Sequence, residues 1–166
     1  MSEDNKNGNT TENGENINNG EDDTTMLTAP TFPDPRDSAS RDVILSQFIS
    51  SLHYENGGIK NDWFGRVIGY GLGANPPEYY LRFGNETIPM TTFQDYVRAG
   101  TIRFQFSNAT SIVYRTEGNV DYADITLDYT VTDYRSGSAV TTTKTNTVIT
   151  HRIRPTYQIY RTVIPL

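Results

Sequence analysis

Residues 101–166 read TIRFQFSNATSIVYRTEGNVDYADITLDYTVTDYRSGSAVTTTKTNTVITHRIRPTYQIYRTVIPL. Turn signals at Glu117-Gly118, Ser136-Gly137-Ser138 and Pro155 cut this run into four long segments. Each is rich in Thr, Tyr, Val and Ile, residues that suit a pleated, half-buried surface, and the turn-bounded spacing predicts an antiparallel meander. Such a sheet needs apolar material across one face, so the elements upstream are read for what could supply it.

The second segment fixes the faces. Its odd positions Ala123, Ile125, Leu127, Tyr129 and Val131 are apolar, while Asp124, Thr126, Asp128, Thr130 and Thr132 are polar. Side chains alternate along a strand, so the odd set looks inward. A two-residue loop at Glu117-Gly118 brings Ile102, Phe104 and Phe106 to the same face. A three-residue loop at Ser136-Gly137-Ser138 pairs Arg135 with Ala139, which sets Ile125 against Ile149 and Ala123 against His151. Asp121 then lies diagonal to His151 on the inner face.

Upstream, Asp37 or Ser38 can cap a helix over residues 39–54, with Val43, Ile44, Leu45, Phe48, Ile49 and Leu52 as its apolar stripe. After Gly57-Gly58, NDWFGRVIGYGL predicts a shorter helix capped by Asn61 or Asp62, burying Trp63, Phe64, Val67 and Ile68 and ended by Gly69, Gly71 and Gly73. Those glycines lack the spacing and the preceding strand of a dinucleotide-binding turn. EYYLRFGNETIPM predicts two short strands around Gly84-Asn85. Thr91-Thr92-Phe93-Gln94 has the form of a capping box, and Gly100 stands where a helix C′ residue belongs, so a short helix is expected over about residues 92–99.

Charge is unevenly distributed. Residues 1–26 hold seven acids and one base, a balance of −6, and the whole chain is also −6, so residues 27–166 are neutral. Segment 1–26, built of Asn, Gly, Thr, Glu and Asp, cannot bury enough surface to offset ordering entropy and reads as an acidic tail. Pro30, Pro33 and Pro35 make its continuation to residue 37 an extended linker, leaving 38–166 as one domain. The neutral body carries no basic run, which argues against a nucleic-acid partner. Cysteine is absent, which excludes disulfides, thiol nucleophiles and Cys-ligated zinc, and two histidines cannot supply a multi-histidine metal site.

The order helix, helix, short hairpin, helix, four long antiparallel strands resembles the NTF2-like superfamily, also called cystatin-like or SnoaL-like, over residues 38–166. Tyr80–Met90 followed by a capped helix and the aromatic last strand Tyr157–Val163 carry the likeness. The resemblance implies an α+β cone: two to three N-terminal helices on a curved antiparallel sheet of four long strands plus a short hairpin, with a pocket between them. Met1-Ser2-Glu3-Asp4 resembles the mature end of a bacterial surface lipoprotein, with Met1 in place of signal peptide and lipidated Cys. That likeness implies a cell-envelope protein anchored only through a lipid; a cytoplasmic or virion protein is the alternative.

One constellation offers chemistry. His151, oriented by Asp121, would be a general base in a cone pocket walled by Tyr54, Trp63, Phe104 and Tyr129, as pocket acids and bases serve the isomerases and cyclases of the resembled superfamily. The plainer reading is a strand histidine that satisfies a neighbouring group. His53 is placed at a helix C-terminus, where it suits the dipole. Asp124 and Asp128 belong on the outer face, within reach of Lys144, Arg152 and Arg154. The tyrosines, among them Tyr79, Tyr80, Tyr122, Tyr134, Tyr157 and Tyr160, suit sheet packing and interfaces alike. No cofactor or metal is expected. The leading expectation is a non-catalytic binding or assembly module, taking a small ligand in the cone or a protein on the sheet, with a homodimer possible through the outer face; the alternatives are a cofactor-free SnoaL- or ketosteroid-isomerase-type enzyme using His151 and an intracellular or viral adaptor.

Overall fold

A computed structural model describes residues 38–68, 79–107, 109–155 and 158–166. The acidic segment with its linker, residues 1–37, and the glycines at 69, 71 and 73 lie outside them. Helix α1 (Ser38–Leu52) is followed by a two-residue hairpin, β1 (Tyr54–Glu55) and β2 (Gly58–Ile59), and by the single turn α2 (Phe64–Val67). Then come the hairpin β3 (Tyr80–Phe83) and β4 (Glu86–Pro89), helix α3 (Met90–Arg98), and strands β5 (Ile102–Phe106), β6 (Ser111–Glu117), β7 (Val120–Asp133), β8 (Val140–Ile153) and β9 (Ile159–Ile164). The architecture is α+β: helices packed on a seven-stranded, mostly antiparallel, curved sheet of order β4-β3-β9-β8-β7, with β5 and β6 both on the far side of β7.

Helices α2 and α3 differ from expectation at their starts, and α1 ends at Leu52 rather than at residue 54. In α1 the buried apolar residues are Ile44, Leu45, Phe48 and Leu52, with Ser51 buried beside them, while Val43 of the expected stripe is 45% exposed. The chain leaves α1 through Asn56 (φ 53°) and Gly57 (φ 85°), the two left-handed residues of a tight hairpin turn. The cap expected from Asp62 is not formed: Asp62 pairs with Arg98 at 2.9 Å, and the Trp63 N–H donates instead to Ser51 Oγ at 3.0 Å. Nor does the capping box at Thr91 form. Helix α3 begins at Met90, whose N–H donates to the Tyr79 carbonyl at 3.0 Å, so a tertiary contact takes the role of a side-chain cap. Its other end is as expected, with Gly100 at φ 73° and the N–H groups of Gly100 and Thr101 returning to Val97 and Tyr96.

The first long segment is two strands. Phe104 faces Val131 and Tyr114 faces Ala123, registers that differ by two residues. At the break, Ser107 Oγ accepts the Asp128 N–H at 3.1 Å and Thr110 Oγ1 donates to the Thr126 carbonyl at 2.9 Å. An even shift preserves the face, so Ile102 and Phe104 still point inward.

On the other side of β7, Ile125 does face Ile149 and Ala123 does face His151. Two departures cancel to produce this. The ladder ends earlier than expected, at Asp133 opposite Val140, and the register shifts by one between Leu127 and Tyr129. There Asn146 takes φ 47° and donates its N–H to Asp128 Oδ1 at 2.7 Å. The bulge restores the inner face that the turn would have lost.

Strand β9 joins the expected hairpin to the meander by pairing parallel to β3. The sheet then curls. Strand β4 stands four places from β7 in the order, about 19 Å if flat, yet Arg135 just beyond β7 donates to Glu86 of β4 through Nη1 (2.9 Å) and Nη2 (2.8 Å). Arg135 also holds Asp133 through Nη2 at 3.0 Å. These carboxylates raise the Arg135 pKa, Glu86 foremost. Burial alone would raise the Asp133 carboxyl, but hydrogen bonds from Arg135 hold it below the usual carboxylate range. Arg135→Gln is expected to lower stability by about 1 kcal/mol, since the clasp is partly exposed. Urea unfolding would read this as a lower midpoint; an unchanged midpoint would mean the clasp contributes nothing.

Candidate functional site: the solvent face of the sheet

His151 and Asp121 are not hydrogen-bonded to each other. The His151 imidazole is wholly buried, its Nδ1 2.8 Å from Thr162 Oγ1 and its ring edge-on to Phe48 at 4.5 Å. Nε2 has no hydrogen-bond partner among the described residues. Burial pushes its pKa down to about 3, against a smaller upward pull from the Asp124 charge. The ring is therefore neutral at pH 7 and enclosed by side chains. Asp121, opposite Ile153, accepts from Thr116 Oγ1 at 2.7 Å.

The four expected pocket residues are dispersed. Phe104 is fully buried and Tyr129 is 2% exposed, its hydroxyl donating to the Pro165 carbonyl and its pKa raised by burial to about 12. Phe48, Phe64, Phe93 and Phe104 are the largest of the fully buried side chains among the described residues. Trp63 is half-buried, under the Arg66 guanidinium at 5.4 Å. Tyr54 lines a hollow of about 350 Å³ with Arg103, Gln105, Thr130 and Thr132. The even-numbered threonines mark that hollow as lying on the outer face, and there Arg103 sits between the rings of Tyr54 (4.4 Å) and Tyr134 (4.7 Å). A second hollow, about 550 Å³, lies over Phe83, Arg135 and Leu166. His53, just after α1, accepts the Phe106 N–H on Nδ1 at 3.1 Å, so it serves the backbone of β5. Among the described residues no three His, Asp or Glu side chains group as metal ligands, and no helix is long and apolar enough to cross a membrane.

What the outer face does assemble is a row of arginines and tyrosines. Arg115 of β6 faces Tyr122 of β7, Tyr122 faces Arg152 of β8, Arg152 faces Arg161 of β9, and Arg161 faces Tyr80 of β3. Five strands thus contribute one residue each to a single line. The charges lie over the rings: Arg115 over Tyr122 at 4.2 Å, Arg152 over Tyr160 at 5.2 Å, and Arg161 over Tyr80 at 4.6 Å. Tyr160 stands at the irregularity in the β8–β9 pairing, and Arg154 also covers its ring at 4.3 Å. Each such stack contributes about 0.5–1 kcal/mol at an exposed site. It engages the flat face of the guanidinium rather than its N–H edge.

The expected pairing of Asp124 and Asp128 with Lys144, Arg152 and Arg154 is corrected here. Asp124 binds Arg115 on the opposite neighbour, Nε to Oδ2 at 2.7 Å, and accepts from Thr150 at 2.8 Å. Burial alone would raise its carboxyl, but these partners hold it below the usual carboxylate range. The register is the cause: it sets Thr150 across from Asp124 and Arg115 on the diagonal. In the sequence the tyrosines suit packing and interfaces alike and Arg152 and Arg154 suit ion pairs, with nothing local that joins the two sets. An Arg or Tyr recurring at the outward position of successive strands is the signal that would have joined them.

Compared with known proteins, the chain matches no family model, no curated protein and no solved structure.

Proposed function

We propose that this chain is a non-catalytic protein-binding module of NTF2-like form that works through the solvent face of its sheet. The observation that carries this reading is the Arg–Tyr row laid across five strands. It is supported by the packing of the described interior, where a ligand in a cone would otherwise lie. Beside the row stand three exposed valines, Val113 at 52%, Val163 at 45% and Val148 at 41%. Aromatic and Arg anchors next to apolar spots are the composition of protein interfaces.

Site-specific photo-crosslinking in the native cells tests the reading. A photoreactive residue at Val113 or Val148 is expected to give adducts of discrete mass, and one at Val43, exposed on α1, is expected to give none. Equal labelling at all three positions would overturn it. So would a small molecule that raises Tm and protects core amides from exchange, since that ligand would be inside the fold.

A further inference from the structure

We propose that the row Arg115–Tyr122–Arg152–Arg161–Tyr80, with the exposed valines beside it, is the docking site for an acidic segment of a partner protein, an inference that rests on the sheet-face reading above. Arg152 is the centre of the argument. Its guanidinium lies near both the Tyr122 ring (5.9 Å) and the Tyr160 ring (5.2 Å), so two aromatic neighbours limit its freedom before any partner arrives. Its Nε is buried with no hydrogen-bond partner among the described residues. The carboxylates at this end of the face, Glu117 and Asp124, both bind Arg115 at 2.7 Å. Arg152 therefore faces Arg161 across the β8–β9 pair with no carboxylate bound to it among the described residues. A carboxylate accepting from the Arg152 guanidinium forms charge-assisted hydrogen bonds.

The neighbouring row decides what bears the carboxylate. Val113 faces Asp124, Asp124 faces Thr150, Thr150 faces Val163, and Val163 faces Arg82. Two exposed valines thus run alongside the arginines, with Val148 on the strand between them. A nucleic acid or sulfated glycan, charged along its whole length, would set charge against those methyl groups. A peptide that alternates acidic and apolar residues satisfies both rows, and over a Debye length of about 8 Å it responds to the local arginines rather than to the net charge. The five strands span about 19 Å, the length of about six extended residues.

The full-length chain and a fluorescent peptide of alternating Glu and Val, about eight residues long, provide the test by fluorescence anisotropy. Saturable binding that weakens as salt rises is expected. Arg152→Gln is expected to weaken it by about tenfold, as is Gln for Glu in the peptide. Arg152→Lys keeps the charge but loses the planar stack, and is expected to weaken binding by a smaller factor. Val163→Asp is expected to weaken it, while Arg103→Gln, at the other end of the face, is expected to bind as the parent does. Circular dichroism of each variant separates loss of binding from loss of fold. Tighter binding of heparin or oligo-dT than of the peptide would overturn the proposal. So would an Arg152→Gln affinity within about twofold of the parent, or no peptide binding at millimolar concentration. Crosslinks from Val113 and Val148 that persist in Arg152→Gln would leave the sheet-face reading standing while removing the acidic segment from it.

Discussion

Truncating Phe104 to alanine is expected to cost about 3–5 kcal/mol, the range for a fully enclosed aromatic ring. Phe104 has no exposed surface and stands among Phe83 (6.1 Å), Phe93 (6.0 Å) and Phe106 (5.3 Å, stacked). These rings come from β3, α3 and β5, so one deletion opens a void where the hairpin, the helix and the meander meet. Neighbours on three elements cannot all relax inward, and the cavity term is added to the lost transfer energy. Against a total stability of about 5–15 kcal/mol, such a loss lowers Tm by about 10 °C or more. Phe104→Leu, which fills most of the space, is expected to cost about 1–2 kcal/mol. Thermal and urea unfolding of both variants would check this, and an alanine cost below about 1 kcal/mol would show that the ring is not enclosed as described.

Stability is expected to fall with acid earlier than carboxylates alone would cause. The folded pKa of His151 is about 3 and its unfolded value is about 6.5. Between those values the unfolded chain binds the extra proton, so stability rises with pH across that window and is lost as pH falls through it. The loss between pH 7 and pH 4.5 is expected to reach about 2–3 kcal/mol as an upper estimate. Asp124 and Asp133, with lowered folded values, act in the same direction but only as pH falls through the carboxylate range, below about 4. Replacing the pair His151→Leu with Thr162→Val, which also removes the hydroxyl that would be left unpartnered, is expected to flatten the curve between pH 6.5 and pH 4.5. A parent protein whose urea midpoint is constant over that window would show His151 to be reachable by water.

The registers show how far local signals reach. Alternation in Ala123–Val131 identified the inner face, and two-residue periodicity kept that identification correct through a break at Ser107–Thr110 that was not foreseen, because the inserted length was even. The pairing of Ala123 with His151 was legible, but through a turn that was longer than read and a bulge at Asn146 that compensated. The Asn56-Gly57 hairpin carried a visible signal that was passed over in favour of Gly57-Gly58. Caps were less legible. Asp62 and Thr91 have capping side chains, yet Ser51 and the Tyr79 carbonyl, distant in sequence or on another element, supplied the acceptors.

By itself the sequence determined what depends on neighbours along the chain: three helices ahead of the long strands, the face of β7, the short hairpin and the glycine that ends α3. It also determined the composition that excludes thiol chemistry. Only the tertiary structure decided that β9 pairs parallel to β3, that the sheet curls until Arg135 meets Glu86, and that His151 lies against Phe48 and Thr162 instead of Asp121. It alone placed Arg115, Tyr122, Arg152, Arg161 and Tyr80 in one line. The physical reason is common to these cases: each contact joins residues from different strands or helices, so its geometry is set by register, bulges and curvature, which are settled by packing the whole sheet rather than by any one segment.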